Sequence, residues 1–164
     1  MTRSEKNAVD IPAGWKVETN PSASLVARIL ESYAPAIRDS LGVGGFLNAL
    51  LSSPLLVHET AWVLVDRVVP GGAIFVHGGK FADGNEHVEP FRELLAWLLE
   101  TSGTSVVVAP VPEKSPASLL LSRVGFVKTG FVPLDDSYGG EVRSTEIWTL
   151  FPTKQEESDE EDEE

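Results

Sequence analysis

Residues 105–112 read Ser-Val-Val-Val-Ala-Pro-Val-Pro, a run that is apolar from Val106 onward with no alternating polar positions. A strand of this kind is buried on both faces, so the chain must build a sheet with covering layers above and below it. The flanking segments supply one such layer. From Glu89 to Glu100, Phe91, Leu94, Leu95 and Leu98 recur at helical spacing, and Gly103 follows where a helix end favours a left-handed residue. Beyond the run, Ser115-Pro116 provides a cap and a first-turn proline for a second helix through Leu119-Leu120-Leu121. Gly125 ends that helix and lets the chain reverse at once into a strand beginning Phe126-Val127-Lys128.

The remaining elements read from the same rules. Trp15–Thr19 is a short first strand by alternation and β-branched content. Ser22 or Ser24 caps a helix whose positions Leu25, Val26, Ile29, Leu30 and Tyr33 share one side, and Pro35 is expected to kink or end it. A second helical piece lies between Gly44-Gly45 and Pro54, with Gly42–Gly45 read as an interhelical linker. Thr60–Val69 and Ala73–Phe81 form two strands around a Pro70-Gly71-Gly72 turn. The chain closes with a strand from Glu141, after a turn in Asp135-Asp136-Ser137-Tyr138-Gly139-Gly140. The predicted class is α/β (α+β), a single mixed central sheet with helices on both faces.

The charge of −12 is unevenly placed. Residues 155–164 hold eight acids and no base, which leaves 17 acids against 13 bases elsewhere, or −4. Such a block repels itself and has nothing apolar to bury, so residues 153–164 read as a disordered acidic tail, 15–152 as one domain and 1–14 as a loose leader. A chain without a basic stripe is not expected to bind nucleic acid. No stretch approaches a membrane span of ~18 apolar residues, and no signal-peptide run opens the chain. There are no cysteines, so disulfides, thiolate metal sites and a cysteine nucleophile are excluded, and a reducing cytoplasm is the expected location. The three histidines, His58, His77 and His87, are too dispersed to suggest a metal site.

The run from Ala73 through the Glu89 helix and Val106–Pro112 to the helix ending in Gly125-Phe126 resembles the GNAT superfamily of acetyl-CoA-dependent N-acetyltransferases. In its spacing the chain looks most like the small GNAT-like proteins of tailed bacteriophages. The resemblance implies an acetyl-CoA site whose diphosphate lies on a loop opening the third helix, normally Arg/Gln-x-x-Gly-x-Gly/Ala. The matching segment here supplies Gly84, Asn85, Glu86, His87 and Val88, with one glycine and three acids, Asp83, Glu86 and Glu89. Those carboxylates oppose an anion, and His87 is expected to offset them in part. The resemblance also implies that the strand pair around Val106–Pro112 splays to admit the pantetheine arm.

A tyrosine four residues before the Gly-Phe pair commonly serves as general acid in this family. Leu121 stands there instead, and Lys114 or Ser115 replaces the family's asparagine near the start of the same helix. His77 is the candidate base, since an imidazole with a pKa near ~6.5 suits proton abstraction. These departures predict a protein that keeps the fold without its usual chemistry, a binding or structural protein whose partner would be a virion or host protein. The alternative is an active acetyl-CoA-dependent N-acetyltransferase acting on an amine.

Overall fold

The computed structural model describes residues 10–40, 42–138 and 141–153. Residues 1–9 of the expected leader and 154–164 of the expected tail lie outside them. Seven strands form one mixed sheet: β1 (Lys16–Glu18), β2 (Leu55–Val57), β3 (Ala61–Val68), β4 (Ala73–Lys80), β5 (Val106–Pro112), β6 (Val127–Tyr138) and β7 (Glu141–Leu150). Their spatial order is β1-β2-β3-β4-β5-β7-β6. Only β4 and β5 run parallel; every other neighbouring pair is antiparallel. The helices are α1 (Ala23–Ser40), α2 (Gly42–Ser52), α3 (Val88–Ser102) and α4 (Ala117–Val124).

Alternation along β3 explains how one apolar run serves two cores. Ala61, Val63 and Val65 join Ile74, Val76, Phe91 and Leu94 in the cluster under α3. Trp62 and Leu64 point the other way and pack with Ile29, Phe46 and Leu50 of α1 and α2. Trp62 is fully buried and donates its indole N–H to Ser32 Oγ at 3.0 Å. Its neighbour across the ladder must be small. A Cβ on Gly79 would lie 2.7 Å from Trp62 Nε1, so Gly79 makes room for the largest side chain of that core.

Local chemistry fixes the helix ends. Ser22 is the cap of α1, its Oγ accepting from the Leu25 N–H at 3.1 Å. At the end of α4, Gly125 takes φ 115°, its N–H donating to Ser122 O, while the Phe126 N–H reaches back to Leu121 O at 2.9 Å. That 6→1 and 5→2 pattern is a Schellman motif, and it turns the chain so that Phe126 is buried as β6 begins.

Four expectations need correction. Pro35 does not end α1, which runs on to Ser40; a proline inside a helix removes one N–H, and the helix continues on its remaining bonds. Gly42–Gly45 form the start of α2 rather than a linker, so the two helices nearly abut. The strand Leu55–Val57 was not expected, being only three residues between Pro54 and His58. Asp135–Tyr138 belong to β6 rather than to a turn, pairing up to Tyr138 with Glu141; Gly139 and Gly140 lie outside the described residues.

Candidate active site at the divergence of β4 and β5

The parallel contact between β4 and β5 is confined to Ala73–Phe75 against Val106–Val108. Beyond that point β4 stays on β3 as far as Lys80, and β5 stays on β7 as far as Pro112. The two strands therefore diverge. Pro110 and Pro112 account for part of this, since neither has an N–H and residues two apart face the same strand edge. Pairing with β7 runs unbroken through both prolines, which places the missing donors on the edge facing β4.

An apolar cavity of about 50 Å³ opens in the gap, lined among others by Val76, Gly78, Phe91, Ala109, Val111 and Leu121. Leu121, where the family resemblance placed a tyrosine, thus stands in the cavity wall with no proton to give. Ser115, at the start of the same helix, is buried and accepts the Ala117 N–H at 3.2 Å, a capping role.

His77 borders the same gap. Its cross-strand partner is Leu64, a member of the core under α1 and α2, which puts the imidazole on the face opposite α3. Asp66 is the extra residue of a bulge in β3 between Val65 and Arg67. Bulges re-aim side chains, and here Asp66 Oδ2 comes within 3.9 Å of His77 Nε2. Burial holds the His77 pKa below its ordinary 6.5, and the Asp66 carboxylate opposes that shift. The imidazole is therefore neutral at pH 7, the form a base requires. Next to it the Arg67 guanidinium lies 4.2 Å above the Phe75 ring.

The loop before α3 gathers the other expected residues. Gly84 has φ 103°, a left-handed conformation suited to glycine, and Val88 N–H bonds back to Asn85 O. Pro90, in the first turn of α3, contributes no N–H, so this helix start has one donor fewer to offer an anion. His87 does not offset the acids as expected. It is 2 % exposed, packs edge-on against Phe91, and burial together with Lys80 and Arg123 holds its pKa below 6.5, so it is neutral.

The positive charge comes from residues that sequence spacing did not flag. Arg123, near the end of α4, donates to Asn85 Oδ1 at 2.8 Å. Arg92 pairs with Glu89 at 2.6 Å and also donates to the carbonyls of Arg123 and Val124, tying α3 to the C-terminus of α4. Asp83 and Glu86 remain exposed to solvent, which screens them. His58 is structural: its Nδ1 accepts the Thr60 N–H at 3.0 Å and its ring packs against Trp15. Among the described residues no three His, Asp or Glu side chains converge as metal ligands would, and no helix is long and apolar enough to cross a membrane.

The same architecture recurs in solved structures. A ribosomal-protein-S5-alanine acetyltransferase from Vibrio fischeri superposes with a TM-score of 0.60 at 12% identity, covering 86% of this chain and 94% of that one. A GNAT-family acetyltransferase from Bacillus anthracis gives 0.51 at 8% identity, over 65% and 70% of the two chains. The chain has the GNAT fold. A microcin C7 self-immunity acetyltransferase, solved with acetyl-CoA and AMP, superposes on it at 0.61 with 9% identity, over 85% and 93%. At such identities the likeness is one of fold. No protein-family model and no curated protein sequence matches the chain. Within the GNAT fold, this chain shows a diverging strand pair with an apolar cavity in the gap, and a cation of α4, Arg123, held on the loop before α3.

Proposed function

We propose that the protein is an acetyl-CoA-dependent N-acetyltransferase acting on an amine. The observation that carries this reading is the divergence of β4 and β5 after Phe75 and Val108, with an apolar cavity in the gap and a neutral imidazole at its border. Acetyl-CoA would supply an activated acyl group. The cavity in the gap is about 50 Å³, against ~300–1,000 Å³ for an ordinary ligand pocket, so an entering arm must press the lining side chains outward. Val76 and Gly78 of β4 and Ala109 and Val111 of β5 would flank it, and Gly84 to Val88 would face its diphosphate. His77, on the opposite side of the sheet, accepts the proton that the amine loses as it is acylated. With Leu121 in the wall of the cavity, the leaving thiolate takes its proton from water.

Leu121 is also the observation that favours a second reading, a protein that binds acyl-CoA or a protein partner without turnover. The two readings separate in a thiol-release assay with acetyl-CoA and a panel of amines and peptides. The chain has no cysteine, so any thiol that appears is released coenzyme A. Amine-dependent release that is lost on His77→Ala supports the enzyme. Binding of acetyl-CoA with no release above the buffer rate supports the second reading.

A further inference from the structure

A groove of about 970 Å³ opens beside α3, where the unequal lengths of the two neighbouring helices leave the sheet uncovered. α4 has 8 residues and ends level with Arg92, whose Nε donates to Val124 O at 3.3 Å, while α3 has 15 and runs on to Ser102. Ala96, Leu99, Val124, Leu150 and Phe151 give the groove an apolar floor, and Phe151, just past β7, is 55 % exposed. Its charged side chains are Arg92 and Glu100. Arg92 is already paired with Glu89 at 2.6 Å and donates to two carbonyls, whereas Glu100 has no ion pair among the described residues. The chain leaves β7 along the same groove: Pro152 and Thr153 line it, and residues 155–164 hold eight acids and no base. At no more than ~3.6 Å per residue, Glu156 lies within about 11 Å of Thr153.

We propose that this groove docks a basic amphipathic segment of another protein, with its apolar side chains on Leu99, Leu150 and Phe151 and its lysines or arginines toward Glu100 and the acids that follow Thr153. The chain's own last residues do not suit the floor, because residues 154–164 contain no apolar side chain to lay on it. A second copy suits it no better: apposing two such grooves would set eight terminal acids against eight, and like charges across an interface oppose association. An apolar floor rimmed by one sign of charge is matched by a helix with an apolar stripe and the opposite charge on its flanks. The inference goes beyond the acyl-CoA reading and does not rest on it, since Phe151, Glu100 and the terminal acids have no part in that reaction.

The test is fluorescence anisotropy with three labelled synthetic peptides: one with Leu and Lys at amphipathic helical spacing, one with Ser in place of each Leu, and one with Glu in place of each Lys. Each is titrated with the full chain, with its Phe151→Ser and Ala96→Arg variants, and with a full chain whose eight acids in 155–164 are changed to their amides. Ala96 and Phe151 are both exposed, so neither substitution disturbs the core. The Leu–Lys peptide is expected to bind the parent chain, and less tightly as salt rises. Phe151→Ser and Ala96→Arg are each expected to weaken it about tenfold, a common cost of losing an anchor at an interface. The amide chain is expected to bind it more weakly and with a smaller dependence on salt. No binding of the Leu–Lys peptide overturns the proposal. Equal binding of the Ser–Lys peptide, or binding undiminished in both groove variants, also overturns it, because the acids alone would then be the attraction. A Leu–Glu peptide that binds as tightly as the Leu–Lys one overturns the basic character assigned to the partner.

Discussion

Asp66 Oδ2 lies 3.9 Å from His77 Nε2 because a bulge in β3 turns the carboxylate toward the neighbouring strand. Burial lowers the His77 pKa and Asp66 raises it, so the pair sets the pH at which the imidazole becomes available as a base. Activity is expected to rise with pH and level off, with its inflection below pH 6.5. Asp66→Asn removes the opposing charge and is expected to move that inflection further down, while NMR titration of the His77 ring shows the same displacement. An inflection that stays in place while the ring titration moves would separate His77 from the rate.

Removing the imidazole tests the role directly. His77→Ala is expected to lower kcat about a hundredfold or more, the usual contribution of a positioned base, with KM for acetyl-CoA little changed. Retained kcat would place the base elsewhere.

Leu121 invites the opposite experiment. A tyrosine there would place a phenol in the wall of the cavity, where the thiolate would leave in the proposed reaction. Leu121→Tyr is expected to raise kcat about a hundredfold, the lower end of the ~10²–10⁴-fold span of general-acid catalysis. An unchanged rate, with acetyl-CoA still bound, would mean that thiolate protonation does not limit turnover.

The buried neutral His87 makes stability depend on pH. Because its folded-state pKa lies below 6.5, the unfolded chain binds its proton first as pH falls, and the folded state loses ground below about pH 6.5. Denaturant titrations at pH 5 and pH 7.5 are expected to show a smaller pH difference for His87→Gln than for the parent chain. His77 acts in the same direction and remains in both proteins, so the comparison isolates His87.

Gly125 carries the turn from α4 into β6 at φ 115°. Gly125→Ala is expected to cost about 1–2 kcal/mol, the penalty for a Cβ in a left-handed conformation. There is room for the added atom, whose nearest neighbour is Leu150 Cδ1 at 3.6 Å, so a loss measured by chemical denaturation reports backbone strain.

Much of this fold could be read from periodicity and punctuation. The apolar run Val106–Pro112 forecast a central strand, and Phe91, Leu94, Leu95 and Leu98 are all buried in α3 as their spacing required. Gly103 and Gly125 end helices in the left-handed region. Of the two outcomes expected at Pro35, a kink or an end, the end does not occur, because a proline removes one N–H and α1 runs on to Ser40. The site was less legible. Gly84 to Val88 and His77 could be listed from the resemblance, but the partners that set their chemistry, Asp66, Lys80 and Arg123, come from other elements. Asp66 reaches His77 only through a bulge, and Arg123 reaches Asn85 only because α4 packs on α3. That Leu121 stands at the tyrosine position of the resembled family could be read from its offset to Gly125-Phe126, a distance fixed within a single helix.

The measurement that bears most directly on the proposed function is titration of acetyl-CoA into the full chain by calorimetry. Saturable binding at micromolar concentration, about −8 kcal/mol, is expected if the gap between β4 and β5 opens to admit the acyl-CoA arm. No heat at millimolar acetyl-CoA, with the fold intact by circular dichroism, would contradict it.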